Sequence, residues 1–514
     1  MIRRSAHRSP NKTALVFREA RITYRELNRR VNSLAHALMG LGLKKGERVA
    51  LISHNGPAYY EVYFACAKTG GIFVPVNNLL KRSELLQILN YIKPRYLVFG
   101  PEFLDRVEDV RGELTHTEVF LCTGSGETPF SVSYEDLISR GSAEEPGVEV
   151  TDEDVISIFL TSGTTGLPKG AMRTHKNIYI NALTCTAEIG LKTQDRTLQV
   201  YPFYHITFED NLRHILMANT IVIRKEGGFD AREVLATLSR ERISVCQFVP
   251  TMISSLLQVE SYDNYDLSHF RLMVYAASPM PVELLKQAVT RFKCQFTQLY
   301  GQTETGPTIT LLRPEDHVVD GTPEQLSRLA SAGRPVLSYE VKIADKEGND
   351  SPVGEVGEIA VRSECMTIGY WDLPQETAKT IRGGWLYTGD YGRMDEGGYV
   401  YIVDRKNDMI ISGGKNIYPR EIEEVLYRHP AVLEAAVVGV PDDHWGESVK
   451  ALLVLRDGAK ATEEEVVSFC KENLASYKKP RSVEFRKELP KSPTGKILKR
   501  FIRDEYWKGR DRKV

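Results

Sequence analysis

The chain holds 514 residues, 42% of them hydrophobic and 26% charged, with 67 Lys and Arg against 68 Asp and Glu for a formal net charge of −1. That balance excludes the compositional signatures of disordered, collagen-like and nucleic-acid-coating chains. A length well beyond the roughly 300 residues at which one core stops growing predicts at least two domains.

In chain order, "YRELNRRVNSLAHALMGLG" reads as a helix closed by glycine, "ERVALIS" as a strand and "AYYEVYFACAKTGG" as a second helix. The start "MIRRSAHRSPNKTALVF" lacks the apolar core and cleavage site of a signal peptide, and no stretch approaches 18 uninterrupted apolar residues. The expected location is therefore cytoplasmic. Between about 150 and 300, the short apolar runs "VISIFL", "TLQVYPFY", "NTIVIRK", "ISVCQFVP", "RLMVYAAS" and "CQFTQLYG" are interleaved with amphipathic stretches such as "AREVLATLSRERI" and "PVELLKQAVTRF". This alternation predicts parallel strands with crossover helices. After about 330, shorter strands and more frequent turns take over. Beyond 404 a compact unit is legible: a two-strand ribbon, a helix at "PREIEEVLYRHP", strands "EAAVVGV" and "KALLVLR", a helix opened by the capping box "TEEE", and the strand "SVEFRKELP". The predicted class is α/β, with a large N-terminal body of parallel and mixed sheets over 1–404 and a small, mobile α+β C-terminal domain over 405–514. The seven cysteines form no CxxC pair, which predicts reduced, buried thiols rather than disulfides or a zinc cluster.

One stretch carries chemistry by itself. In "FLTSGTTGLPKG", Gly163, Gly166 and Gly170 permit close backbone approach to an anion, Thr161, Ser162, Thr164 and Thr165 offer hydroxyls, and Lys169 offers charge. The Walker pattern needs Gly-Lys-Ser/Thr, whereas Lys169 here precedes Gly170, so a P-loop kinase or GTPase is disfavoured.

"TSGTTGLPKG" resembles the phosphate loop of the AMP-forming adenylating enzymes, the superfamily of acyl-CoA synthetases, peptide-synthetase adenylation domains and luciferases. The other motifs of that family follow in order: "YPFYHITFED", "YAASPM", "LYGQTETGP", "GWLYTGDYG", "VDRKNDMIISGGKNIYPREIE" and "PKSPTGKILKR". The resemblance implies that the loop binds the β- and γ-phosphates of ATP. It implies that Glu304 and Thr165 hold Mg²⁺ and that Tyr300 stacks on adenine, with Ala276, Ala277 and Ser278 on the other side. Gly301, Gln302 and Thr303 complete the nucleotide site, Thr303 at the α-phosphate, while Asp390 and Arg405 hold the ribose.

Lys496 matches the lysine that enters the site during adenylation, where a cation relieves repulsion between the attacking carboxylate and the α-phosphate. By the same resemblance, the small domain then rotates about Asn407, a position where many relatives carry Asp or Lys, so that Ser412, Gly413 and Gly414 face a pantetheine tunnel. His205 matches a histidine near the carboxylate, and Tyr204, Phe208, Ala276, Gly301, Gly306 and Pro307 are expected to line the acyl pocket. Gly301 stands where acetate-specific relatives carry a tryptophan, so the pocket is expected to have room for a larger group.

The implied activity is an ATP-dependent, AMP-forming carboxylate:CoA ligase acting on a medium- or long-chain aliphatic, cyclic or aromatic acid, with Mg-ATP and coenzyme A as co-reactants. Alternatives are an adenylating enzyme that loads a separate carrier protein, a luciferase-like oxygenase, and a nucleotide-binding regulator without catalysis. Bulk charge suggests no nucleic-acid partner, and homodimerisation is a tendency of the family.

Overall fold

The computed structural model describes residues 1–124, 128–161, 168–224, 228–405, 408–492 and 495–508. Two large sheets frame the N-terminal body. In the eight-stranded one, Ile72–Pro75, Arg48–Ile52 and Tyr96–Phe99 run parallel and almost wholly buried, as in a sheet covered by helices on both faces. Val155–Thr161 joins this sheet in parallel beside Ile72–Pro75 and then pairs antiparallel with Lys169–Thr174. The glycine-rich run therefore connects two neighbouring antiparallel strands. Ser162, Gly163, Thr164, Thr165 and Gly166 lie outside the described residues, as does Asn407.

The nine-stranded sheet is parallel from Gln295–Tyr300 through Leu272–Tyr275, Val245–Phe248, Arg196–Gln199 and Thr220–Ile223 to Thr13–Phe17, with antiparallel strands added at both edges. The amphipathic stretches fold as the crossover helices Ala231–Arg240 and Val282–Phe292. The first is capped by Asp230, whose carboxylate accepts from the Arg232 and Glu233 N–H groups. Helix Pro57–Thr69 starts on proline and stops at left-handed Gly70 (φ 74°). Its Tyr59, Tyr60 and Tyr63 are buried between the sheets, in one cluster with Phe73 of the first and Leu15 and Ile221 of the second.

A third, antiparallel sheet contains Glu340–Ala344, Gly357–Arg362, Trp385–Met394 and Val400–Arg405. The small C-terminal sheet begins at Ile410–Ser412 and includes Lys415–Ile417, Val432–Asp442, Gly446–Leu455 and Ser482–Phe485. Its helix Glu463–Asn473 opens on the Thr462–Glu465 capping box. Two apolar clusters fill this domain, both built from residues 410–506 alone.

Candidate active site

Strand Gln295–Tyr300 ends at the C-terminal edge of the nine-stranded sheet, the edge where open α/β sheets hold ligands. The chain then turns tightly through 301–307. Tyr339 shares its phenolic proton between the Thr305 and Gly306 carbonyls, both at 2.6 Å, and the Thr303 carbonyl accepts from Arg173 Nη1 at 3.2 Å. Arg173 is fully buried, and its charge is met by equally buried Glu209 at 3.3 Å. In the neighbouring turn, just before Ser278, Ala277 is left-handed at φ 71°. That conformation costs a non-glycine residue on the order of 1–3 kcal/mol and recurs at functional turns.

Asp390 is the hub of the next part. It lies 4% exposed on Trp385–Met394 and pairs across the sheet with Arg405 of Val400–Arg405. Its Oδ2 accepts from Tyr300 OH and from Gln302 Nε2, both at 2.8 Å, and its Oδ1 stands 3.3 Å from Arg405 Nε. Gln302 also donates to the Thr388 carbonyl at 3.0 Å. Burial, reinforced by the Asp390 charge, pushes the Tyr300 phenol far above its ordinary range, so Tyr300 stays neutral and a donor. The small domain brings Lys496 to this corner. The Arg405 charge first, and burial second, push its ammonium down to about 8, while Asp390 and Asp408 pull the other way.

Where the two antiparallel strands flank the glycine-rich run, Thr161 donates its hydroxyl to the Lys169 carbonyl at 3.3 Å. Lys169 Nζ pairs with Glu376 at 2.6 Å and lies 5.1 Å from the Tyr370 ring centre. Hydrogen bonds from Lys169 and Lys379 push Glu376 down to about 2. Tyr370 donates to Glu304 Oε1 at 3.1 Å, which connects the lysine to the carboxylate.

Tyr204 and His205 adjoin with ring centres 5.1 Å apart, and burial pushes His205 down to about 4, so it is neutral near pH 7. Buried Ala276 follows Leu272–Tyr275, its N–H donating to the Phe248 carbonyl at 3.2 Å. Phe208 packs inside the aromatic cluster of Tyr59, Tyr60, Tyr63, Phe73 and Phe203. Two glycines of this region are closely faced by backbone. A Cβ on Gly301 would stand 2.3 Å from the Pro307 carbonyl, and one on left-handed Gly306 would stand 2.2 Å from the Cys365 carbonyl. These positions serve close backbone approach, so neither takes a side chain without a shift of the facing carbonyl. Ser412, Gly413 and Gly414 form the turn of the small domain's ribbon. There Gly413 N–H donates to the Trp445 carbonyl at 2.9 Å, and both glycines are left-handed.

The structure therefore gathers Tyr300, Gln302, Asp390, Arg405 and Lys496 in one corner and connects Glu304 to Lys169 through Tyr370. Sequence reasoning missed Tyr370, Glu376 and the Arg173–Glu209 pair. Glu376 lies 207 residues from Lys169 in an ordinary polar helix start, which carries no local signal.

The AMP-binding enzyme family model matches residues 2–371, and the model of the AMP-binding enzyme C-terminal domain matches residues 421–496. The chain belongs to the AMP-binding enzyme family, within the adenylate-forming superfamily. It is 36% identical over 505 residues to a feruloyl-CoA synthase of an Amycolatopsis species, covering 98% of each chain. It is also 36% identical over 513 residues to the fatty acid–[acyl-carrier-protein] ligase ScoC of Streptomyces coeruleorubidus, covering 99% of this chain and 96% of the other. Among solved structures it is similar to the anthranilate CoA ligase AuaEII in complex with anthranoyl-AMP, with a TM-score of 0.90 and 31% identity over 98% of this chain and 96% of that one.

Proposed function

We propose that the chain is an ATP-dependent, AMP-forming carboxylate:CoA ligase for a medium- or long-chain aliphatic, cyclic or aromatic acid. The observation that carries this reading is the meeting of Lys496 with the Asp390–Arg405–Tyr300–Gln302 corner. The likeness to a feruloyl-CoA synthase and an anthranilate CoA ligase supports the acid class.

In the first half-reaction a carboxylate oxygen of the acid attacks the α-phosphorus of ATP. The bond from that phosphorus to the bridging oxygen breaks, and pyrophosphate leaves. Asp390 and Arg405 take the ribose hydroxyls, and Tyr300 lies against adenine with Ala276, Ala277 and Ser278 opposite. Gly301 and Gln302 complete the turn beside it, and Thr303 contacts the α-phosphate. Thr161, Ser162, Gly163, Thr164, Gly166 and Lys169 receive the β- and γ-phosphates. Lys496 offsets the repulsion between the two reacting anions; a cation about 4 Å away is worth on the order of 4 kcal/mol at an effective dielectric near 20.

Partly exposed Glu304, a hard oxygen donor fixed by Tyr370, fits Mg²⁺, with Thr165 and substrate phosphates as further ligands. Bound there, Mg²⁺ supplies charge neutralisation on the phosphates. In the second half-reaction the thiol sulfur of coenzyme A attacks the acyl carbon, the carbon–oxygen bond to AMP breaks, and the thiol gives up its proton. Rotation about Asn407 turns Ser412–Gly414 toward the pantetheine. Neutral His205, with Tyr204, Phe208, Ala276 and Gly306, borders the acyl group.

We read the enzyme as cytoplasmic, with homodimerisation a tendency of its family; among the described residues no helix is long and apolar enough to cross a membrane. The test is pyrophosphate release from Mg-ATP across a panel of carboxylic acids, with and without coenzyme A. Acid-dependent turnover that requires coenzyme A supports the ligase. Turnover indifferent to coenzyme A moves the acceptor to a carrier protein, as the likeness to ScoC allows, and silence across the panel refutes catalysis.

A further inference from the structure

Lys496 follows a turn residue, Gly495, that is hydrogen-bonded to the large body. Thr251, in the first turn of helix Pro250–Leu257, donates its hydroxyl to the Gly495 carbonyl at 3.1 Å. Gly495 is left-handed at φ 84°. A Cβ there would stand 2.5 Å from Thr251 Oγ1 and 3.2 Å from Val249 Cγ2, so only glycine permits both the turn and this approach. The turn is closed from within. Gly495 N–H donates to the Ser492 carbonyl at 2.8 Å, Ser492 N–H donates to the Lys496 carbonyl at 2.7 Å, and Lys491 bridges Ile497. Lys496 N–H also donates to Ser492 Oγ at 3.1 Å. The backbone of Lys496 is thus rigid relative to Gly495, and whatever holds Gly495 aims the ammonium.

Thr251 is itself well anchored. Its helix follows strand Val245–Phe248, beside the strand that leads to Ala276 and Ala277, on the sheet edge that also carries Tyr300. The hydroxyl therefore reports the position of the nucleotide corner to the loop that carries the lysine. A second polar contact, Val282 N–H to Glu424 Oε2 at 3.5 Å, lies across the same pair of domains.

We infer that Thr251 is a positioning residue for adenylation: its hydrogen bond to Gly495 selects the arrangement in which Lys496 faces the α-phosphate, and it is released before the thiol step. The inference rests on the reading of Lys496 as the adenylation lysine. A bond made in one of two arrangements biases the equilibrium toward that arrangement by its own net strength and leaves a step performed in the other arrangement unaided.

The experiment compares Thr251→Val, Thr251→Ser and Lys496→Ala in two separate assays, using an acid that the parent accepts. One is the first-turnover burst of pyrophosphate release without coenzyme A; the other is conversion of purified acyl-AMP to acyl-CoA. Thr251→Val keeps the shape and loses the donor. Its first-turnover rate of adenylation should fall about fivefold to tenfold, the net worth of one hydrogen bond. Its KM for ATP should stay within about twofold, and acyl-AMP should be consumed at the parent rate or faster. Thr251→Ser should restore adenylation. Equal loss in both half-reactions, no loss in either, or failure of serine to rescue overturns the inference. If Lys496→Ala adenylates like the parent, the role of Lys496 fails and the positioning role falls with it. If Lys496→Ala is impaired and Thr251→Val is not, only the positioning role fails.

Discussion

The ionisation of Lys496 gives the sharpest handle on the proposed chemistry. An unperturbed lysine holds its proton to about 10.4, whereas the Arg405 charge and burial push Lys496 down to about 8. At 1.36 kcal/mol per pH unit, the site disfavours the ammonium by about 3 kcal/mol, an upper figure because water still reaches Lys496. The ammonium is the useful form, so adenylation is fully supported below about pH 8 and declines as pH rises through it. Arg405 is the larger of the two causes, so Arg405→Gln should move this limb up by about one pH unit while lowering the amplitude through the lost ribose contact. Lys496→Arg, whose cation does not titrate in this range, should remove the limb altogether. The assay is the first-turnover rate constant for pyrophosphate release at limiting ATP against pH, which reports ionisations of the free enzyme. It is run without coenzyme A so that the thiol does not add a limb of its own. A limb that stays near pH 8 in Lys496→Arg would refute its assignment to this lysine, and one that does not move in Arg405→Gln would refute the stated cause.

Three further outcomes follow from the geometry. Glu376→Gln frees Lys169 from a solvent-screened ion pair, so the KM for ATP should fall by up to about fivefold; a rise would mean that the pair orients the lysine rather than competing for it. Arg173→Met strands the buried Glu209 carboxylate and should cost about 3–5 kcal/mol in denaturant unfolding, whereas Arg173→Met with Glu209→Met should cost less than either change alone. Equal or greater loss in the double variant would contradict this reading. Gly306→Ala places a methyl group against the Cys365 carbonyl at an unfavourable φ and should cost about 2–4 kcal/mol by the same measurement; a neutral result would show that the turn relaxes freely.

Local grammar made much of the fold legible. The helices that begin at Pro57 and at Glu463 announce themselves by proline, capping box and closing glycine, because the groups that satisfy a helix end are its own neighbours in sequence. Parallel strands read as unbroken apolar runs for an equally local reason, burial on both faces. The antiparallel pairing of Val155–Thr161 with Lys169–Thr174 was not legible, since a buried apolar run does not name its partner. The site divides in the same way. Tyr300, Asp390, Arg405 and Lys496 stand inside recognisable motifs, and the structure gathers them in one corner. Tyr370, Glu376, Arg173 and Thr251 act through partners 66 to 244 residues away, and nothing in their own surroundings announces it. Gly301 adds a constraint that no local pattern shows: the carbonyl of Pro307 stands where its Cβ would be.

Among the described residues, the two apolar clusters of the small domain draw on none from the large body. The contacts described across the boundary are hydrogen bonds, such as Thr251 to Gly495 and Val282 to Glu424, whose groups water can serve equally well. A change in orientation of the small domain would therefore uncover none of its core and would leave its own folding stability untouched. Orientation and stability become separately tunable: substitutions along the boundary can alter how long the domain dwells in each arrangement, while substitutions in its interior alter only whether it is folded at all.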